Sequence, residues 1–146
     1  MSGICYIFGG FPCNSEFYHA VNNDDIVISA DGGYKLACSL GVKSNIVLGD
    51  FDTLNEEITA PDVRKYPPEK DDTDLMIAIK TGISIGYHSF VIYGSLGGRI
   101  DHTVAAIQSL EYLSERGSSF PLFRSILHIS DINSLLTPIG NDCVIV

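Results

Sequence analysis

Short apolar runs that stop abruptly at glycine recur along this chain, and they leave little choice of architecture. Ile4-Cys5-Tyr6-Ile7-Phe8 ends in Gly9-Gly10, and Ile26-Val27-Ile28-Ser29-Ala30 ends in Asp31-Gly32-Gly33. Asn45-Ile46-Val47-Leu48 runs into Gly49-Asp50-Phe51-Asp52-Thr53, and Ser89 to Tyr93 runs into Gly94-Ser95. These runs do not alternate apolar with polar residues, so each reads as a strand covered on both faces. Helical stretches lie between them. Asn14-Ser15-Glu16 can cap a helix to about Val21, Tyr34 to Leu40 is helical with Gly41 as its stop, and Leu75 to Ile85 forms a longer helix. The alternation predicts an α/β fold: a doubly wound, mainly parallel sheet with strands at 4–8, 26–30, 45–48, 89–93 and 126–130. Asn55 to Pro68 is a polar, proline-bearing loop with a short strand at Val63-Arg64-Lys65-Tyr66.

Ligands of such sheets bind beyond the carboxyl ends of the strands. There the chain places carboxylates: Asp31 after the second run, Asp50 and Asp52 after the third. Asp50 and Asp52 point the same way if the chain stays extended through Phe51. Two converging carboxylates repel, so either one is protonated or a cation sits between them. With oxygen ligands alone that cation is Mg²⁺, normally carried with substrate phosphates. An isolated Asp-x-Asp is more often a polar turn after a strand; the succession of glycine-rich turns on one edge shifts the balance. Gly9-Gly10 is either a tight turn or a place where backbone approaches a ligand.

Two further stretches carry chemistry. In Glu69-Lys70-Asp71-Asp72-Thr73-Asp74, Asp71 and Asp74 share a face if both lie in the first helical turn, and they also suit a plain helix cap. Lys70 either contacts a phosphate or is solvated. In the second, Gly97-Gly98-Arg99-Ile100-Asp101-His102 leads into a helix with Val104, Ile107, Gln108, Leu110 and Leu113 on a mostly apolar face, until Gly117. A glycine loop at a helix N-terminus suits a phosphate, and Arg99 adds a fork of donors. Asp101 reads equally as a helix cap, and His102 as a buried, satisfied side chain.

Composition narrows the function. At 146 residues the chain has the size of one ordinary domain, large enough for a real core. Its net charge of −9 argues against a nucleic-acid surface, which needs clustered Lys and Arg, but not against a metal-bound triphosphate. Much of that charge lies between Asp50 and Asp74. No apolar run approaches the roughly 20 residues that span a bilayer, and Met1 to Cys5 has no signal-peptide character. Cys5, Cys13, Cys38 and Cys143 show no Cys-x-x-Cys spacing, which predicts reduced, mostly buried thiols in a cytoplasmic protein rather than zinc or disulfides.

Four stretches, taken in order, resemble the thiamine pyrophosphokinase (thiamine diphosphokinase) family. They are Ala30-Asp31-Gly32-Gly33, Gly49-Asp50-Phe51-Asp52, Lys70-Asp71 with Thr73-Asp74, and Gly97-Gly98-Arg99 with Asp101-His102. The resemblance covers roughly residues 4 to 117. It implies transfer of pyrophosphate from ATP to the hydroxyethyl oxygen of thiamine, releasing AMP, with Mg²⁺ as cofactor and a homodimer as the working form. It also implies Asp50, Asp52, Asp71, Asp74 and Asp101 as the acidic metal and substrate site. Gly97, Gly98 and Arg99 would lie on phosphate, Asp31 at the border of the cleft, and Lys70, Thr73 and His102 beside the nucleotide. Asp71, Asp74 and Asp101 are the implied catalytic groups, with Asp71 or Asp74 as the base.

The chain departs from the family pattern at Thr53, where Ser is more frequent, at Met76, often acidic, and at Ala106, often Asn. The family continues into a small all-β domain that supplies much of the thiamine pocket. Residues 1–130 are therefore expected to form the α/β nucleotide-binding domain, and 131–146 an incomplete beginning of that β domain. Two other functions fit parts of the sequence. Asp50-Phe51-Asp52-Thr53-Leu54 resembles the nucleophile motif of haloacid-dehalogenase-like phosphatases, although that motif has Gly before the Thr and normally starts its domain. A non-catalytic nucleotide-binding module would keep the cleft without needing five acids.

Overall fold

A computed structural model of the chain describes residues 3–11, 21–52, 54–95, 100–116 and 122–123. Six strands form one sheet: β1 (Ile4–Phe8), β2 (Ile26–Ala30), β3 (Ile46–Gly49), β4 (Asp62–Lys65), β5 (Ser89–Tyr93) and β6 (Leu122–Phe123). Their order across the sheet is β4-β3-β2-β1-β5-β6, and every pairing is parallel. Three helices accompany them: α1 (Gly33–Ser39), α2 (Asp74–Ile85) and α3 (Ile100–Ser114). Among the described residues no helix is long and apolar enough to cross a membrane.

The non-alternating strands are buried on both faces, as their composition requires. Successive side chains of a strand point to opposite sides. Cys5, Ile7, Ile28, Ile46, Leu48, Phe90 and Ile92 therefore pack on one side, against Ala78 and Ile79 of α2 and Ala106, Leu110 and Leu113 of α3. Tyr6, Phe8, Val27, Val91 and Tyr93 face the other side, with Ala37 of α1 and Val42. Helices on both faces make the fold doubly wound. Fully burying one such Ile or Phe contributes about 1.5–3 kcal/mol, so the two layers supply most of the drive to fold.

Three predicted strands match the observed ones residue for residue, and the third and fourth shift by a single position. The helix capped at Asn14 and the strand at 126–130 lie outside the described residues, as does all of 131–146. Two local readings are corrected. Helix α2 begins at Asp74, and its cap is Thr73, whose Oγ1 accepts the Met76 N–H at 3.2 Å. Asp71 thus precedes the helix and does not share its first turn. On α3 the buried side runs through Ala106, Ser109, Leu110 and Leu113, whereas Val104 and Ile107 are exposed with Ile100. Cys5 is buried as expected, but Cys38 is exposed.

Register is fixed at the start of β3. The Asn45 side chain accepts the Val27 N–H at 2.8 Å, and the Asn45 N–H donates to the Val27 carbonyl at 2.9 Å. This double tie pairs Ile28 with Ile46 and Ala30 with Leu48, so Asp31 and Gly49 emerge side by side.

Gly33 opens α1 directly against the end of β1. A Cβ there would lie 1.8 Å from the Phe8 carbonyl oxygen, a backbone atom that cannot swing aside. Gly33→Ala should therefore cost about 3 kcal/mol or more, the upper end for overpacking. Urea unfolding checks this: a loss below about 1 kcal/mol would show that α1 can shift freely on the sheet.

Candidate active site

The chain runs outward from β1 through β2 and β3 to β4, then crosses back through α2 to β5 on the far side of β1. The order thus reverses between β1 and β5, and a crevice opens there at the carboxyl ends of the strands. A cavity of about 600 Å³ occupies it, within the range of nucleotide-sized pockets. Its floor is the turns after β1, β2 and β5: Gly9-Gly10, Asp31-Gly32 and Gly94-Ser95. One wall is the stretch from Lys70 to Leu75 at the start of α2; the other is His102 and Ala105 on α3. Both readings of Gly9-Gly10 hold together. The Gly9 N–H donates to Tyr93 O at 2.7 Å, making a tight backbone junction, and the same residues line the cavity.

At the margin of this cavity Asp31, Asp50 and Asp52 bring three carboxylate oxygens within 4.8 Å of one another. Backbone geometry rather than side-chain reach assembles them. Asp31 has φ 47° and Phe51 φ 63°, both in the left-handed region that non-glycine residues rarely occupy. Gly49 has φ 147°, and a Cβ on it would stand 3.0 Å from the Asp31 Cβ, so the two turns meet only because a glycine separates them. The expected extended Phe51 is thus replaced by a sharp left-handed turn. Within it the Asp52 N–H donates to Asp50 Oδ1 at 3.2 Å, and Asp50 and Asp52 still converge.

The electrostatic load falls unevenly. The carboxyl of Asp31 titrates above the usual range, first because burial strips it of water and then because Asp50 and Asp74 face it; a backbone N–H of Phe51 opposes the shift, and Asp52 adds to it. Asp50 is held low by the Asp52 backbone N–H, with help from the Lys70 charge. Repulsion therefore concentrates on Asp31, not on Asp50.

Three hard oxygen donors, from half-buried Asp31 and Asp50 and exposed Asp52, form a like-charged group that suits a divalent cation such as Mg²⁺. Ligands around that ion lie roughly 3–4 Å apart, given bonds of about 2.0–2.1 Å, so the cluster is already near ligating spacing. The chemistry of the donor set and the stress on Asp31 both fit the ion.

The remaining candidates divide. Asp71 and Asp74 line the cavity, and Asp74 Oδ1 lies 3.0 Å from Lys70 Nζ as a half-buried ion pair. Lys70 also donates to Pro67 O at 3.2 Å, which pins its chain over the cleft. Thr73 and His102 line the same space. Asp101 is exposed in the first turn of α3, where its carboxylate accepts the His102 N–H at 3.0 Å, and it is not among the lining residues. Thr53, Gly97, Gly98 and Arg99 lie outside the described residues. Sequence reasoning missed Ser95, whose buried Oγ has no hydrogen-bond partner among the described residues. It stands two residues past the end of β5, while Asp31 and Asp50 stand directly past β2 and β3, so the strand-end rule that found those two, extended by one position, would have found it.

A parallel doubly wound sheet with an acidic cleft at its reversal point defines a class: α/β proteins with a ligand crevice at the carboxyl ends of their strands. The comparisons narrow it. The family profile described as thiamin pyrophosphokinase, catalytic domain, matches residues 17–120, and the chain belongs to that family. It is 34% identical over 89 residues to thiamine pyrophosphokinase of Bacillus subtilis (strain 168), covering 57% of this chain and 42% of that protein. It is also 34% identical over 73 residues to thiamin pyrophosphokinase 1 of Caenorhabditis elegans, covering 45% of this chain and 30% of that protein. The crystal structure of the Bacillus subtilis enzyme superposes with a TM-score of 0.70 at 25% identity, over 83% of this chain and 60% of that one. That of the Geobacillus thermodenitrificans enzyme gives 0.67 at 27% identity, over 82% and 58%. The sequence matches thus cover 30–42% of the curated relatives' length, and the structural matches about three-fifths of the solved chains.

The raised titration of Asp31 has a measurable sign. Folding favours its protonated form, so the metal-free protein loses stability as pH rises through the Asp31 titration. Asp31→Asn should raise Tm at pH 7 by a few degrees, with the advantage shrinking as pH falls through and below the ordinary aspartate range, where Asp31 becomes protonated in the unfolded chain as well as the folded one. Thermal unfolding in EDTA across that range checks it; an advantage that grows toward acid would reverse the assignment.

Proposed function

We propose that this chain forms thiamine diphosphate by transfer of a pyrophosphoryl group from ATP to the hydroxyethyl oxygen of thiamine, with release of AMP. The observation that carries the reading is the convergence of Asp31, Asp50 and Asp52 within 4.8 Å beside a cavity at the sheet's reversal point, in a chain of the thiamin pyrophosphokinase family. Transfer of this kind depends mainly on positioning and on neutralising phosphate charge. In this reading Asp31, Asp50 and Asp52 hold Mg²⁺, which neutralises phosphate oxygens when bound. Lys70 supplies a fixed positive charge to the same cleft, and the Ser95 hydroxyl donates to a ligand oxygen. Arg99 with Gly97 and Gly98 is assigned to the phosphates on the sequence motif.

The attacking group is a primary alcohol, so a carboxylate must receive its proton. Asp74 is engaged by Lys70, whose Nζ lies 3.0 Å from its Oδ1. Asp71, exposed on the cavity wall, is the better base. Asp101 is left to shape the start of α3. Thiamine and ATP are the proposed partners, and a homodimer the proposed assembly.

Incubating the protein with ATP, thiamine and Mg²⁺ should yield AMP, and EDTA should abolish it. Release of inorganic phosphate instead would point to a phosphatase, and no turnover to a binding module. Asp50→Asn should lower turnover by about 10²-fold or more, the scale for removing one preorganised charge contact, while leaving Tm near that of the parent. Full Mg²⁺-dependent activity in that variant would remove Asp50 from the site.

A further inference from the structure

Asp31 belongs to the turn that closes β2, whereas Asp50 and Asp52 belong to the long connection 50–61 that leaves β3. Left-handed residues such as Asp31 and Phe51 persist only where surrounding contacts hold them. The near end of the connection is well held. The Asp31 N–H donates to Leu48 O at 2.7 Å, and the Leu54 N–H closes back on Phe51 O at 3.3 Å. Its far end is tied to the other turn by one side chain. Tyr34 is buried, its own N–H donates to Asp31 O at 3.1 Å, and its phenol oxygen accepts the Thr59 N–H at 3.0 Å across 25 positions. A single residue thus grips the Asp31 turn with its backbone and the acidic loop with its ring.

We infer that Tyr34 is a positioning residue for the acidic cluster: its buried phenol clamps the 50–61 connection onto the Asp31 turn and so sets the spacing of Asp31 from Asp50 and Asp52. A tyrosine that merely filled space beneath α1 would not need its hydroxyl, since phenylalanine fills the same volume. The hydroxyl also gives the Thr59 N–H a protein partner at a part-buried place, where lost pairing is felt. This inference deepens the proposed function and rests on it for the identity of the cation, but not for the geometry.

The test uses Tyr34→Phe in the 146-residue chain, with two readouts. Amide hydrogen exchange in metal-free protein should speed up about 3- to 10-fold at Thr59 and also at Phe51 and Asp52, the scale for losing one such hydrogen bond. Mn²⁺ binding, followed by electron paramagnetic resonance, should weaken by a similar factor, with Tm nearly unchanged. Thr59→Pro, which removes the donor N–H and leaves Tyr34 intact, should speed exchange at Phe51 and Asp52 and weaken Mn²⁺ binding in the same way. Faster exchange confined to Thr59, or Mn²⁺ affinity equal to that of the parent in both variants, would overturn the inference. If the parent chain binds no Mn²⁺, the metal assignment fails, and exchange at Phe51 and Asp52 alone decides the role of Tyr34.

Discussion

The pairing of β2 with β3 governs where every acidic group of the site falls. In a parallel sheet a slip of one residue moves each side chain to the opposite face and each strand end by about 3.3 Å. Here Asn45 holds Val27 through both its side chain and its backbone, which leaves β3 no alternative register. Asp31 and Gly49 then emerge together, and the Asp31 N–H finds Leu48 O. Apolar packing alone would not specify this, because Ile26 to Ile28 and Ile46 to Leu48 are similar enough to fit in neighbouring registers. A polar residue at the edge of the core sets the alignment that the chemistry needs.

That alignment has a cost which the rest of the fold offsets. Three carboxylates near one another, two residues with positive φ and a half-buried Asp31 all oppose folding. Each strained backbone position costs on the order of 1–3 kcal/mol. The offset comes from the two apolar layers, whose side chains from Phe8, Phe90, Tyr93 and Leu113 are fully buried. Stability made in the sheet is thus held in reserve as a charged, strained edge. Such an arrangement favours a cation and a polyanion over water at that edge, because binding relieves the repulsion while leaving the backbone in place.

The sheet was legible in the sequence because its strands are short apolar blocks bounded by glycine, and that signal is local. β1, β2 and β5 carry it cleanly, and their limits agree with the expected ones. The start of α2 was less legible. Both Asp71 and Thr73 are good caps, and only the backbone decides between them; Thr73 is the one that bonds the Met76 N–H. The left-handed Phe51 had no local signal at all, since phenylalanine has no preference for that conformation. It is imposed from outside, by Gly49 yielding to Asp31 and by the N–H groups that the carboxylates collect. The place of Asp31 beside Asp50 and Asp52 follows from the same tertiary fact, which no pairwise spacing along the chain encodes. Likewise the exposure of Val104 and Ile107 depends on which side of α3 meets the sheet, and Ala106, small enough to sit against it, settles that.

The position of Asp50 in the sheet also weighs on the choice among chemistries. The phosphatase motif that Asp50 to Leu54 resembles normally opens its domain, whereas Asp50 here follows β3, next to the edge strand β4. It sits away from the reversal point, and the cavity at that point is lined instead by Asp31, the α2 start and the β5 turn. A nucleophile must meet the phosphorus atom of a substrate lying in the crevice. Asp50, at the margin with its Oδ1 turned to the Asp52 N–H, is better placed to hold a cation than to attack. Asp31 then becomes the link between the two regions, since it both lines the cavity and belongs to the carboxylate cluster. Under the proposed function, charge neutralisation and positioning would both fall to one continuous edge of the sheet, and phosphoryl-type transfer requires little else of a protein.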